Sequence, residues 1–277
     1  MSNTTLTEIA HSTDLIKNLT LRELRGKYRS SVLGWLWSLL NPLSTILTYW
    51  FVFGLILQLP ATVGTETGLD NFPVYLMCGL FPWAFFSSCV NGSMGVIVGN
   101  AALIKKVYFP RAVLPLSYVL SILVNFCIEM TVLIVLLALF GVNALVVLPW
   151  LLILMVMLVI FTLGISMAVS VLNAYLRDLQ HLIGSVLLQV LFYLNPIVYR
   201  ISDVPKNVDL LGFSVPLRAI YLKNPMARFV MAFRRVLYDG AAPAFKDFVF
   251  LGTASVLSIV LGWMLFSKLE WRMAEEL

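Results

Sequence analysis

A chain of 277 residues with 60% hydrophobic and only 12% charged side chains, and a mean hydropathy of +0.93, has too little polar surface to clothe a water-soluble globule, since soluble domains carry about 25% charged residues. The same figures exclude a disordered chain and a basic nucleic-acid-binding module. The net charge of +5 then points to a membrane surface before any polyanion, and the expected class is an all-α integral membrane protein.

The first element in chain order lies within residues 1–32. Leu21, Leu24 and Tyr28 recur at spacings of three and four on one side, Arg22, Arg25 and Arg29 fall on another, and Lys27 shares a third with Glu23. This pattern predicts an amphipathic helix on the cytoplasmic surface, turning past Trp35 and Trp37 into the first span. The charges leave no continuous apolar segment for a cleavable signal peptide. A span needs about 20 mainly apolar residues, and six stretches meet or approach this: 33–59, 74–98, 116–140, 148–172, 182–198 and 249–269. Such continuous runs exclude a transmembrane β-barrel, whose strands alternate every second residue. The fifth stretch is the shortest and carries Asn195-Pro196 near its end, where proline frees a backbone carbonyl that a neighbouring group must satisfy. A break or re-entrant turn is expected there.

Residues 1–32 hold five Lys or Arg and residues 99–115 hold three, whereas 60–73 and 141–147 hold none. Positive residues favour the cytoplasmic side, so both termini are expected inside, with 199–247 outside despite its eight Lys and Arg. In that outer segment Asn224-Pro225 has the form of a helix cap and first helical position, Gly240 that of a stop. Met226, Phe229, Val230, Phe233 and Leu237 form one apolar stripe between them. With 215–222 before it, this predicts a helical hairpin dipping into the outer leaflet. Between spans two and three, Asn100 is expected to cap and Pro110 to end a short helix over 100–109. Leu103, Ile104 and Val107 fall on one side, flanked by Lys105 and Lys106, which makes a docking knob for a cytoplasmic partner.

Catalytic signatures are lacking. The chain has no G-x-x-x-x-G-K-[ST] phosphate loop, no dinucleotide fingerprint and no H-E-x-x-H. Cys78, Cys89 and Cys127 are scattered through apolar stretches and read as small hydrophobes among helices. A membrane-embedded transferase would need acidic or histidine groups near the interface, and Asp178 and His181 are the nearest. No metal site is expected. The third span carries Glu129, an intramembrane carboxylate that lines a substrate path or bonds a facing helix. Small pairs, Gly95 with Gly99, Ser88 with Gly92 and Gly164 with Ala168, predict close helix packing. The first two spans are rich in aromatics, among them Tyr49, Trp50, Phe53, Trp83 and Phe86, which either line a glycan conduit or belong to interfacial belts.

The run Leu24-Arg-Gly-Lys-Tyr-Arg-Ser-Ser-Val-Leu-Gly-Trp-Leu-Trp-Ser-Leu-Leu-Asn-Pro42 resembles the opening signature of ABC-2-type polysaccharide exporter permeases, the membrane subunits for O-antigen, capsule, teichoic acid and cell-wall galactan. Ile104-Lys-Lys-Val-Tyr-Phe-Pro-Arg111, Asn173-Ala-Tyr-Leu-Arg-Asp178, Leu194-Asn-Pro-Ile-Val-Tyr199 and the run from Asn224 to Gly240 resemble later segments of that family, in the same order. The resemblance implies a homodimeric permease in a bacterial plasma membrane, driven by two copies of a separate ATPase that binds ATP and Mg, with no cofactor on this chain. Its implied cargo is a long glycan on a polyprenyl pyrophosphate carrier, moved from the cytoplasmic to the outer face; a drug or smaller lipid is the alternative. The family's coupling segment falls on Asn100, Leu103, Ile104, Lys105, Lys106, Val107 and Arg111. Its external gate falls on Asn195, Pro196, Asn224, Pro225, Phe229 and Phe233. Arg22, Arg25, Lys27 and Arg29 are expected at the lipid pyrophosphate or at anionic headgroups. Ile104→Asp is expected to weaken ATPase binding without unfolding the spans.

Overall fold

The computed structural model describes residues 11–28, 33–58, 63–143, 146–210 and 213–272; Arg29 lies outside them. Among the described residues, five helices are long and apolar enough to cross a membrane: α2 (Trp37–Ile56), α3 (Phe72–Gly99), α5 (Val113–Leu139), α6 (Leu148–Tyr175) and α10 (Phe245–Leu269). Before them lies α1 (Thr13–Tyr28). Between them lie α4 (Ala101–Lys106), α7 (Leu179–Leu194), α8 (Leu217–Lys223) and α9 (Pro225–Leu237). Among the described residues the architecture is helical apart from two three-residue strands, β1 (Val208–Leu210) and β2 (Phe213–Val215), paired antiparallel with Val208 opposite Val215. The β-hairpin precedes the stretch read from sequence as a helical hairpin and overlaps it only at Val215; that stretch forms α8 and α9.

The helix expected over 182–198 is α7, shorter than the five long ones. It is π-helical over Leu182–Leu187 and stops at Leu194, where Asn195 turns extended at φ −95° and ψ 141°, the conformation that a following proline imposes. A second π-helical stretch, Trp50–Ile56, ends α2. Both stretches lie on helices whose apolar side chains are largely exposed, Trp50, Phe51 and Ile56 on α2 and Leu182, Val186 and Leu187 on α7.

The core runs along α3, the most buried of the long helices, which packs against α5, α6 and α9. Asn71 caps it, its side chain accepting from the Val74 amide at 3.2 Å. Helices in lipid gain no hydrophobic drive from one another and associate through close packing and hydrogen bonds; α6 and α10 show both. Ser255 and Ser258 on α10 donate to the carbonyls of Met157 and Phe161 on α6, at 2.9 and 2.7 Å. One turn further on, Gly262 faces Gly164, where an added Cβ on either would overlap the other helix's backbone. Gly164 thus packs as its small-residue spacing predicts, whereas Gly95 and Gly99 meet open space. Gly262→Val should therefore cost about 1–3 kcal/mol by overpacking, read as earlier thermal unfolding in detergent. An unchanged melting temperature would mean that this contact carries no weight.

Candidate functional site

At the end of the bundle that carries α1, three segments are tied together. Leu19 of α1 packs with Val96, Val113 and Leu114, and the Thr20 hydroxyl donates to the Ser117 carbonyl at 3.4 Å, so α1 rests on the flank of α5. Its Arg22 pairs with Glu23 at 3.0 Å and donates to Asn100 Oδ1 at 2.7 Å. Asn100 makes no capping bond to α4; its amide donates instead to the Val96 carbonyl at 2.8 Å. The helix expected over 100–109 spans only Ala101–Lys106, because Val107 is already extended. Ile104 packs against two apolar clusters at once, one around Leu19 and Val113 and one around Met167 and Phe266. Leu103 joins the first of these. The outward groups are Lys105, Lys106, Val107 and Tyr108, the last 87% exposed. Past this knob, Arg111 donates through its amide to Glu270 Oε1 at 3.3 Å and through its guanidinium to the Glu270 carbonyl, anchoring the loop to the end of α10. The segment predicted as one docking surface is therefore divided: Asn100, Leu103, Ile104 and Arg111 hold it from behind, and Val107 with the lysines faces out.

A cavity of about 470 Å³ opens beside α1, between α3 and α5. Glu23, Gly26 and Lys27 stand at its α1 side. Ser88 and Asn91 face it from α3, and Tyr118, Ser121, Asn125 and Glu129 face it from α5. Spacings of three on α3 and of three and four on α5 set these groups on one face of each helix. Phe85 and Phe126 line the cavity with rings stacked at 4.7 Å. Gly92 admits the Tyr118 phenol, which a Cβ there would overlap. Polar side chains at this depth of an otherwise apolar helix are costly unless they face water, protein or ligand.

At the opposite end, α9 inserts against α3 and α6, and its apolar stripe of Met226, Phe229, Val230, Phe233 and Leu237 is buried. Asn224 caps it, accepting from the Met226 amide at 3.0 Å, and its own amide donates to Asn195 Oδ1 at 2.9 Å. Beside Val230 on the next turn sits Arg234, 5% exposed. Its guanidinium donates to the carbonyls of Pro196 and Ile197, to the Tyr75 carbonyl at 3.2 Å and to the Tyr75 hydroxyl at 3.1 Å, and lies 3.9 Å over the Tyr75 ring. Gly79 leaves the room: a Cβ there would come within 3.1 Å of the Arg234 side chain. Arg234 thus satisfies the carbonyls beside the proline break. Tyr238 continues the network, accepting from the Asn71 amide at 3.1 Å and donating to the Leu69 carbonyl at 2.9 Å, and burial pushes its phenol up to about 12. Burial likewise raises the neighbouring Asp239 carboxyl above the ordinary range, against the pull of Arg235 and Arg234. Arg228 pairs with Asp247 at 3.0 Å, pinning α9 to the start of α10.

The predicted site residues separate by location. Trp83 and Phe86 are buried and packed on Phe192 and Phe161, so they belong to the core of the bundle. Tyr49 and Phe53 stack on each other at 5.6 Å, Phe53 also meets Phe72 at 5.5 Å, and Trp50 is exposed. Glu129 and Lys27 share the cavity, while Arg25 is exposed on α1. Asn195, Pro196 and Asn224 meet in the network at the opposite end, where Pro225 opens α9 and Phe229 and Phe233 are buried. Sequence reading missed Arg234, Tyr75, Asn91 and Asn125. The available signal was an arginine set next to an apolar stripe, and amides at helical spacing inside apolar runs.

The sequence profile of the family described as ABC-2 type transporter matches residues 14–238. The chain is 32% identical to the O-antigen export system permease protein RfbA of Klebsiella pneumoniae, over 95% of this chain and 94% of that protein. It is 31% identical to the protein of the same description from Myxococcus xanthus, over 94% and 93%. It is 26% identical to the polysialic acid transport protein KpsM of Escherichia coli, over 92% and 93%.

Proposed function

The chain belongs to the ABC-2 type transporter family, and on that premise we propose that it is the membrane-spanning subunit of an ATP-driven exporter of polysaccharide carried on a polyprenyl pyrophosphate lipid. The observation that carries this reading is end-to-end similarity to O-antigen export permeases, joined to a chain with no phosphate-binding loop of its own. Two copies pair in the membrane, and two copies of a separate ATPase supply the energy. The α1 end is cytoplasmic, as its basic residues favour, and α7 with the break at Asn195-Pro196 completes six spans. The outward groups of 105–108 dock the ATPase. Arg22, Arg25 and Lys27 stand where a lipid pyrophosphate enters; their cationic character suits phosphate oxygens. The external gate comprises α8, α9 and the break they cover.

The test is reconstitution of the chain in proteoliposomes with and without a partner ABC ATPase. With the pair, a lipid-linked glycan becomes accessible to an added glycosidase only when ATP is present; the chain alone hydrolyses no ATP. ATP-driven movement of a small drug but of no glycan would shift the reading to a smaller cargo.

A further inference from the structure

The cavity between α3 and α5 has a chemistry of its own. Its volume of about 470 Å³ lies within the range in which proteins hold small organic ligands, about 300–1,000 Å³. Amide, hydroxyl and carboxylate groups on two helices converge on it above a stacked pair of phenyl rings. Such groups donate to and accept from vicinal hydroxyls, while the rings offer an apolar face to C–H groups. The charges decide between ligand classes. Glu23 is already engaged by Arg22 at 3.0 Å, and of the remaining lining groups Lys27 and Glu129 balance each other. A phosphate placed inside would bring negative charge to a site whose ionisable groups are already matched, with no cation left over to offset it. An uncharged, hydroxyl-rich ligand meets no such repulsion, and it repays the desolvation of Asn91, Ser121 and Asn125 with hydrogen bonds.

We propose that this cavity is a carbohydrate subsite, taking the neutral sugar head of a membrane glycolipid while its phosphate remains outside among the arginines of α1. The proposal rests on the reading of the chain as a glycan exporter and deepens it, because it places sugar recognition on the permease itself.

The test is photolabelling of the full chain, co-purified with its ATPase and held in nanodiscs, by an alkyl glucoside carrying a diazirine on the sugar, with an alkyl phosphate of the same chain length as the second probe. The glucoside should label residues 84–92 and 118–129, and Asn125→Leu should lower that labelling about fivefold, the effect of losing one hydrogen-bonding partner. Ser88→Ala, at an exposed hydroxyl, gives the same direction with no change in packing. The alkyl phosphate should leave these segments unlabelled. Glucoside labelling confined to other segments, labelling that neither variant alters, or equal labelling by the phosphate probe would each overturn the subsite. If labelling misses the cavity while cells carrying the chain and its ATPase still export glycan, the subsite alone falls. If the cavity labels as stated and no glycan is moved, the exporter reading falls instead.

Discussion

Replacing Arg234 with methionine should lower the melting temperature of the purified chain by about 5–10 °C and abolish most glycan export. The carbonyls of Pro196 and Ile197 lose their donor, and the Tyr75 carbonyl loses one as well. A buried polar group left unpaired costs about 1–3 kcal/mol, so three carbonyls that partly relax leave a loss of about 3 kcal/mol, and one kcal/mol corresponds to about 2–4 °C in a chain of this size. Lysine at the same position keeps the charge but has neither the planar fork that reaches several carbonyls nor the flat face that lies on Tyr75. Arg234→Lys should therefore recover only part of the melting temperature. Calorimetry or fluorescence-monitored melting in detergent reads the first effect, and surface glycan with matched protein abundance reads the second. A methionine variant that melts and exports like the parent would show that the break after α7 is held by something else.

The second large effect separates the back of the segment proposed to dock the ATPase from its front. Tyr108→Asp should reduce co-purification of the ATPase by about tenfold, the loss typical of a central contact residue, and leave the melting temperature unchanged, since Tyr108 is 87% exposed. Ile104→Asp should behave in the opposite way. It drives a carboxylate between the two apolar clusters that join α1, α4 and the ends of the long helices, at a cost of about 3 kcal/mol or more, and the chain should lose its folded yield. From sequence, Ile104 reads as part of the docking face. The structure turns it inward because Leu19, Val113 and Phe266, distant in the chain, converge on that side. Folded Ile104→Asp that has lost the ATPase, alongside Tyr108→Asp that retains it, would invert the assignment.

The long helices were legible because length and apolar continuity suffice to define a span. Their ends moved by only a few residues, the second from 74–98 to Phe72–Gly99 and the fourth from 148–172 to Leu148–Tyr175. Caps and stops at single residues were legible too: Asn224 and Pro225 open α9, and Gly240 adopts φ +73° just beyond its end. The candidate sites were less so. Trp83 and Asn91 both lie on α3, yet one is buried against Phe192 and the other faces the cavity. Composition had favoured the aromatic and passed over the amide. In a helix that is apolar on every side, hydrophobic periodicity does not say which face meets a neighbour and which meets open space.

The membrane class, the long helices, the break at Asn195-Pro196 and the cap of α9 follow from the order of residues alone, because each is set by interactions within a few positions along the chain. Only the tertiary structure decided that Arg234 holds that break, that Ile104 supports α4 from within, and that amides from two helices share one cavity. Those outcomes depend on which groups from distant parts of the chain are brought into contact, and a buried polar group is governed by the partner it finds there.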